Sequence, residues 1–408
     1  MALTGREEGL PLGPPTPLVE RLAPIGRTLR VDALRLLGER AALMGLTRHG
    51  AISCGGATRL VRAADGWLAV SLSRDDDITA VPAWLELDRP QSDVWTAVAA
   101  VAARTTLEYL ETRGVLLGLP VASLSTASPP PDLPGETGAI APASTQHSSE
   151  GASESSVRPG LPVVTTAYGT RTRNARAPLV VDLSSLWAGP LCSHLLQRSG
   201  ALVIKVESEH RPDAARTGSP EFFDLLNAGK QSVVLDLGTN DGRRALRRLL
   251  VAADVVVEAS RPRALEQLGV FAGELMRDDG GPDVWISITG HGRDGDVAQR
   301  VAFGDDAAVA GGLVAYDERG PCFYADAIAD PLSGMVAAAA TIDRLQSGRD
   351  RSLVDVAMAK VARHFAGPTL DATESAMSAA PPRARTPSAR AAPLGRDTRA
   401  VLARLAAA

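Results

Sequence analysis

Apolar positions follow two different rhythms along this chain, and the change falls near residue 178. From there short continuous apolar runs recur: Leu179-Val-Val-Asp-Leu183, Ala201-Leu-Val-Ile-Lys-Val206, Ser232-Val-Val-Leu-Asp236, Asp254-Val-Val-Val-Glu258 and Asp283-Val-Trp-Ile-Ser-Ile288. Runs of this length without alternation read as strands covered on both faces. Helical periods lie between them. Gly189-Pro190 opens one, with Leu191, Leu195 and Leu196 inward and Gly200 closing it, as Pro in a first turn and Gly past a last turn favour. From Asp241, Ala245, Leu246, Leu249, Leu250 and Ala253 share one face, while Arg243, Arg244, Arg247 and Arg248 form a solvated one,. This alternation predicts an α/β fold over 178–370, a doubly wound, mostly parallel Rossmann-like sheet. Ligands of such sheets bind outside the carboxyl ends of the strands, here residues 184–189, 207–216, 258–261 and 289–292.

The first part of the chain is patterned differently. Residues 1–30 are rich in Pro and Gly and are expected to wrap the surface or stay loose. Residues 31–44 place Leu34, Leu37, Ala41 and Met44 on one helical face,. Then Gly55-Gly56, a strand, an Asp65-Gly66 hairpin and a second strand follow,. Residues 94–113 read as one helix, ended by Gly114. Residues 1–119 are thus expected to form a second, smaller α+β domain with a glycine loop. Residues 120–177 include Ser125-Thr-Ala-Ser-Pro-Pro-Pro131 and a Ser-rich run from Gln146, and are expected to be a flexible linker. Residues 371–408 read as a mobile tail ending in a short helix.

Composition narrows the function classes. The 408 residues leave room for roughly two or three domains,. They are 45% hydrophobic and 22% charged, with a formal net charge of -4, which fits a globular protein,. No basic stripe with interleaved aromatics points to nucleic acid. No apolar run is long enough for a membrane span. Cys54, Cys192 and Cys322 are scattered, without disulfide or zinc spacing, so no metal is expected,. Glu7 and Glu8 near the start, with no apolar stretch, suggest no signal peptide, and a cytoplasmic location is expected,.

The candidate chemistry is carboxylate chemistry. No dinucleotide fingerprint, phosphate-binding loop or nucleophile elbow is present. Asp326-Ala-Ile-Ala-Asp330-Pro-Leu-Ser-Gly334-Met335 sits between a strand over Cys322-Phe-Tyr324 and an Ala-rich helix. Asp330 before Pro331 reads first, on its spacing, as a helix cap and second as a side chain presented to a cleft. Glu207, Glu258, Asp305, Asp306 and Asp326 are the other acids near strand ends, so a nucleophilic carboxylate is the most available covalent chemistry,. His291, flanked by Gly290 and Gly292, reads as a structural or acid/base histidine,. Gly55-Gly56 reads as an ordinary turn or as a lid. Amides at Ala188 and Gly189, at a helix start, suit an anionic group.

Taken in order, Pro178-Leu-Val-Val-Asp-Leu-Ser-Ser-Leu-Trp-Ala-Gly-Pro190, the Lys205-Val-Glu207 strand end, Gln231-Ser-Val-Val-Leu-Asp-Leu237, Asp254-Val-Val-Val-Glu258 and Arg261-Pro-Arg-Ala-Leu-Glu-Gln-Leu-Gly269 resemble the family III (CaiB/BaiF) CoA-transferases. Gly55-Gly56-Ala-Thr-Arg59 with Asp65-Gly66-Trp67 is similar to that family's small domain, here placed before the large one, and Pro393-Leu-Gly-Arg-Asp-Thr398 to its return segment. The resemblance implies an acyl-CoA:carboxylate CoA-transferase, with acyl-CoA and carboxylic acid substrates and a homodimeric assembly. It implies Asp330 as nucleophile, from the match of Asp330-Pro-Leu-Ser-Gly-Met335. Coenzyme A contacts fall at Leu186, Trp187, Ala188, Gly189, Arg211, Leu235 and Ser260, with Gly55 and Gly56 as lid. Racemases of the family carry Gly-His-Asp where this chain has Gly304-Asp305-Asp306, and an Asn-aromatic pair of the family is Ala259-Ser260 here. An acyl-CoA racemase or isomerase, and a catalytically silent CoA-binding subunit, are the alternative readings.

Overall fold

Helix Ala329–Ser347 is the centre of the molecule. Twelve of its residues are buried, five of them alanine and one glycine, so neighbouring elements approach closely on several sides. The structure is a computed structural model that describes residues 2–89, 92–124, 153–157, 160–170, 176–278, 280–347, 350–367 and 379–407.

Three helices begin the chain: α1 (Thr16–Leu29), α2 (Ala33–Leu36) and α3 (Glu39–Met44). A hairpin follows, β1 (Thr58–Arg62) and β2 (Trp67–Ser71), then α4 (Asp75–Leu85), α5 (Val94–Ala102), α6 (Leu107–Leu116) and β3 (Val121–Ser123). The three strands make an antiparallel sheet whose own core includes Leu68, Val70, Trp84, Val98 and Leu110.

Three expectations are corrected here. Residues 16–29 are not loose: Leu18, Leu22, Ile25 and Leu29 bury one face of α1, a period obscured by Pro17 and Pro24. Residues 31–44 are two short helices broken at Gly38, and Leu34 and Met44 are exposed. Residues 94–113 are likewise divided, since Thr106 caps a new helix, and Gly114 lies inside α6 rather than ending it.

Beyond this part come β4 (Ser153–Val157), β5 (Val164–Ala167), β6 (Leu179–Asp182), α7 (Ala188–Arg198), β7 (Leu202–Ser208), α8 (Pro220–Asn227), β8 (Gln231–Leu235), α9 (Asn240–Ala252) and β9 (Val255–Glu258). The chain continues through α10 (Pro262–Glu266), α11 (Ala272–Arg277), β10 (Val284–Thr289), α12 (Gly304–Ala310), β11 (Val314–Asp317), β12 (Gly320–Phe323), α13 (Ala329–Ser347), β13 (Ser352–Ala357), α14 (Met358–Phe365) and α15 (Thr398–Ala407). The main sheet runs β4-β5-β13-β10-β9-β6-β7-β8. From β13 to β8 all neighbours are parallel; β5 and β4 add antiparallel at one edge. The fold is therefore α/β with a mostly parallel sheet and small antiparallel sheets. One face packs on α1, α7, α13 and α14, the other on α9, α11 and α15.

Residues 120–177, expected to be linker, supply β3, β4 and β5; residues 125–152 lie outside the described residues. The expected mobile tail is docked from residue 379 onward. Arg385 binds Glu39, Ala391 N–H donates to Asp224, Asp397 pairs with the backbone of Ser232, and Thr398 accepts from Val234 N–H. These bonds cover the exposed edge of β8. They join side chains to distant backbone, so no periodicity announces them. Among the described residues no helix is long and apolar enough to cross a membrane.

A buried polar network fixes the carboxyl edge of the sheet. Asp182, at the end of β6, accepts from Ser184 N–H at 2.9 Å and from Ser193 Oγ at 2.5 Å. Lys230 Nζ lies 3.1 Å from its Oδ2 and also donates to Pro190 O, Ser193 Oγ and Asn227 Oδ1. Lys205 Nζ donates to Ser184 O at 2.8 Å and pairs with Asp213 at 2.9 Å. Burial favours the neutral acid at Asp182, but Lys230, Lys205 and the two serines outweigh it and bring its pKa down to about 2. Lys230→Met should therefore destabilise the fold by roughly 3–5 kcal/mol, because Asp182 loses its nearest cation inside the protein. Urea denaturation checks this, and a loss below about 1 kcal/mol would show that the network tolerates the uncompensated charge.

Candidate active site

Asp330 is not the cap of its helix. It lies in the first turn of α13, one residue inside the start at Ala329, with its N–H donating to Ala327 O at 2.9 Å. The backbone before it is unusual. Ala325 and Ala327 both adopt left-handed conformations, with φ of 53° and 43°. Each costs about 1–2 kcal/mol in an L-residue. Between them Asp326 is turned fully inward. Ala325 N–H donates to Thr4 Oγ1 at 3.1 Å, Cys54 Sγ donates to Ala325 O at 3.3 Å, and Ala327 N–H donates to Asp305 Oδ1 at 2.9 Å. Residues from three distant stretches thus hold the strained turn.

The result is a cluster of carboxyls: buried Asp305 and Asp306 from the first turn of α12, buried Asp326 from the turn, and the partly exposed Asp330 from α13. Asp330 lies so close to α12 that a Cβ on Gly304 would fall 2.3 Å from its Oδ2. Only glycine admits that approach. Arg40, from α3, is the cation of the cluster. Its Nε lies 3.0 Å from Asp326 Oδ2, and its guanidinium stands over the Trp187 ring, 5.5 Å from the centroid.

Electrostatics follow from the burial. Asp330 is pushed up to about 7, first by burial and then by the neighbouring Asp305 and Asp326, against the opposing pull of Arg40 and the Gly304 N–H. Asp305 also rises to about 7, by burial and by Asp326, with Arg40 opposing. Burial raises Asp306 well above the carboxylate range and raises Asp326 despite Arg40. Cys54 is raised too, by burial and by Asp326 and Asp305, so it stays a thiol. The arrangement can hold and exchange protons, and it can offer one carboxylate as a nucleophile with another as its acid partner. Among the described residues no three His, Cys, Asp or Glu are arranged to hold a metal ion.

The other predicted positions fall as follows. Leu186, Trp187, Ala188 and Gly189 follow β6, Ser260 follows β9, Arg211 follows β7, and Leu235 ends β8, all on the carboxyl edge of the sheet. Leu186 is left-handed at φ 69°, partly exposed, and held by Asp213 through its N–H at 3.0 Å. Trp187 is buried edge-on against Phe222. No side chain caps α7, so its first-turn amides are not used by a cap. Ala188 O would lie 2.6 Å from a Cβ on Gly334, one turn beyond Asp330. Arg211 is exposed, Ser260 half-buried, and Leu235 buried in the core on the α9 side. Gly55 and Gly56 are exposed, and Gly55 lies against Arg40.

Two acids from the sequence reading do not join the cluster. Glu207 is paired with Arg216 at 2.6 Å, and Glu258 with Arg293 at 3.0 Å and Trp285 Nε1 at 3.0 Å. Both are locked in structural pairs. His291 has Arg300 and Glu111 as its charged neighbours, and burial with Arg300 lowers it to about 4. Arg40 was not foreseen; Glu39-Arg40 in a short helix carries no signal of a partner far along the chain.

A stability test follows from the raised carboxyls. A folded pKa near 7 exceeds the unfolded value of 3.8. The folded state therefore holds the extra proton, and that stability is present below the unfolded value and lost as pH rises through 7. Asp330→Asn, which cannot ionise, should gain on the wild type by roughly 2–4 kcal/mol between about pH 4 and pH 8. Denaturation at both pH values checks it; a constant difference would contradict the raised pKa.

Comparison with known proteins completes the description. Over 183 residues the chain is 32% identical to the succinyl-CoA--D-citramalate CoA-transferase of Chloroflexus aurantiacus, covering 42% of this chain and 45% of that one. Over 219 residues it is 31% identical to the succinate--glutarate CoA-transferase of Agrobacterium fabrum, covering 46% and 54%. A crystal structure of a CAIB/BAIF family protein from Brucella suis aligns with a TM-score of 0.41 and 27% identity, covering 52% of this chain and 60% of that one. The chain spans about half the length of these relatives. Residues 178–396 match the model of CoA-transferase family III, and the chain belongs to that family.

Proposed function

We propose that this protein is an acyl-CoA:carboxylate CoA-transferase with Asp330 as its nucleophile. The observation that carries the reading is the placement of Asp330. It lies partly exposed in the first turn of α13, flanked by Asp305 and Asp326 and within the field of Arg40. That turn adjoins α7, whose uncapped start directly follows the loop after β6.

The chemistry runs in balanced steps. The ionised Asp330 attacks the thioester carbonyl of an acyl-CoA; the C–S bond breaks and the CoA thiolate leaves, giving a mixed anhydride. The thiolate returns to the aspartyl carbonyl, releases the donor acid and leaves an aspartyl-CoA thioester. The carboxylate of an acceptor acid then attacks that carbonyl and displaces the thiolate. The thiolate finally attacks the acceptor's acyl carbon and restores Asp330. One carboxylate thereby divides a difficult exchange into easier ones. Burial serves a second purpose, since an anhydride exposed to water would hydrolyse. CoA is a substrate here. Residues 186–189, Ser260 and the exposed Arg211 would receive it along the carboxyl edge, and the α7 amides suit a polar oxygen. Relatives named for succinyl-CoA, succinate and glutarate make small dicarboxylic acids the first acids to test.

Asp305 stands where the racemases of the family carry histidine. It is itself buried and raised, so α-proton exchange by a carboxylate pair is the competing reading. Asp330→Ala should lower exchange of label between an acyl-CoA and a free acid by ~10³-fold or more. Hydroxylamine added during turnover should mark Asp330 as a hydroxamate visible by mass spectrometry. Retained exchange in the variant sinks the nucleophile. Deuterium uptake at the α-carbon without exchange would instead favour the isomerase, and CoA binding with neither would favour a silent subunit.

A further inference from the structure

We propose that Arg40 anchors the carboxylate of the acceptor acid, through the edge of its guanidinium that lies beneath Gly55. This rests on the transferase reading and adds the group that recognises the second substrate.

The Nε of Arg40 is ion-paired without a hydrogen bond, and its two terminal nitrogens are uncommitted. Its Nε faces Asp326 Oδ2 at 3.0 Å. Its two terminal nitrogens make no hydrogen bond among the described residues. The side chain is 26% exposed, while Asp326 is fully buried, so the guanidinium spans from the interior to the surface. The opening lies at Gly55, which is exposed, and whose missing side chain would stand 2.8 Å from Nη2. A guanidinium edge left open at a nucleophile is a fork for a planar carboxylate.

Arg40 is also held in place before any ligand arrives. Its neighbour Glu39 is buried and gripped by Arg385, through Nε at 2.6 Å, Nη2 at 2.7 Å and the backbone N–H at 3.0 Å. The Trp187 ring supports the guanidinium from the other side. A preorganised cation loses little freedom on binding.

The charges around Arg40 explain the timing. The acids facing it are Asp305, Asp326 and Asp330, with Asp306 behind Asp305 and the Cys54 thiol alongside. In the resting site Asp330 competes for the cation. When Asp330 carries CoA as a thioester it has no charge, and an incoming carboxylate restores the balance. One acid oxygen rests on Arg40 while the other attacks the aspartyl carbonyl.

The test uses the full chain with saturating CoA at about pH 5.5, where Asp330 holds a proton and is neutral as it is in the thioester, and follows a panel of acetate, succinate and glutarate by calorimetry,. At least one acid should bind, and Arg40→Gln should weaken it by about tenfold or more, with Arg40→Lys intermediate. Gly55→Val, whose Cβ would stand 2.8 Å from Nη2 and displace that edge of the guanidinium, should weaken the same acid,. In steady-state exchange the acceptor KM should rise and the donor KM stay unchanged. The proposal is overturned if no acid of the panel binds, or if the Gln and Val variants bind it as tightly as the wild type. A parallel loss of acid and CoA affinity in Arg40→Gln overturns it too, since that is what a merely structural arginine would give. Should Arg40→Gln fail to fold, Gly55→Val and Arg40→Lys decide the matter alone. Wild-type protein that binds an acid through Arg40 yet performs no exchange supports the anchor while removing the transferase reading.

Discussion

Three buried carboxyls and the partly exposed Asp330, all around one arginine, set the terms for this molecule. Asp305, Asp306, Asp326 and Asp330 cannot all be ionised inside the protein with Arg40 as their cation, because each further negative charge pays desolvation and meets its neighbours. The protein resolves this by holding protons. The same solution gives a carboxylate poised near neutrality, able to act either as a base or as a nucleophile. The strained alanines on either side of Asp326 are then intelligible. They hold Asp326 against Arg40.

The cluster depends on a scaffold that uses charge in the opposite way. At Asp182 two buried lysines and a set of hydroxyl and amide donors favour ionisation rather than resist it. Lys205 and Asp213 reach the loop after β6 through Ser184 O and Leu186 N–H. That loop delivers Trp187 beneath Arg40 and starts α7 beside α13. A satisfied network thus fixes the geometry, and an unsatisfied one supplies the reactivity.

Much of this was legible in the sequence. The parallel strands are continuous valine-rich runs, and burial on both faces leaves no other arrangement for them. Asp330 could be singled out because Ser333-Gly334-Met335 and the Ala-rich helix are its immediate neighbours. Its electrostatic setting could not. Arg40 meets Asp326 across most of the chain, and neither residue's neighbours reveal the other. The docking of residues 379–407 was hidden for the same reason. Arg385, Asp397 and Thr398 act through single bonds to distant groups rather than through a repeating apolar face. Helix α1 was hidden by its own prolines, whose local preference is outweighed by burial of Leu18, Leu22, Ile25 and Leu29,.

The order of the parts acquires a physical meaning from the cluster. Arg40 and Cys54 come from the N-terminal part, Asp305 to Asp330 from the part that carries the parallel sheet, and Arg385 from the returning C-terminal segment. Thr4 adds a fourth stretch, through its bond to the strained turn. With the small-domain-like part placed first, one polypeptide still brings all of these to the same point. The cation and the acids it serves are therefore assembled within a single chain. What the ordering asks in return is a C-terminal segment long enough to travel back across β8 and grip Glu39. The bonds from Ala391, Asp397 and Thr398 mark that path. Loss of the grip would free the short helix that presents Arg40, so the last stretch of the chain acts on the first residues of the site.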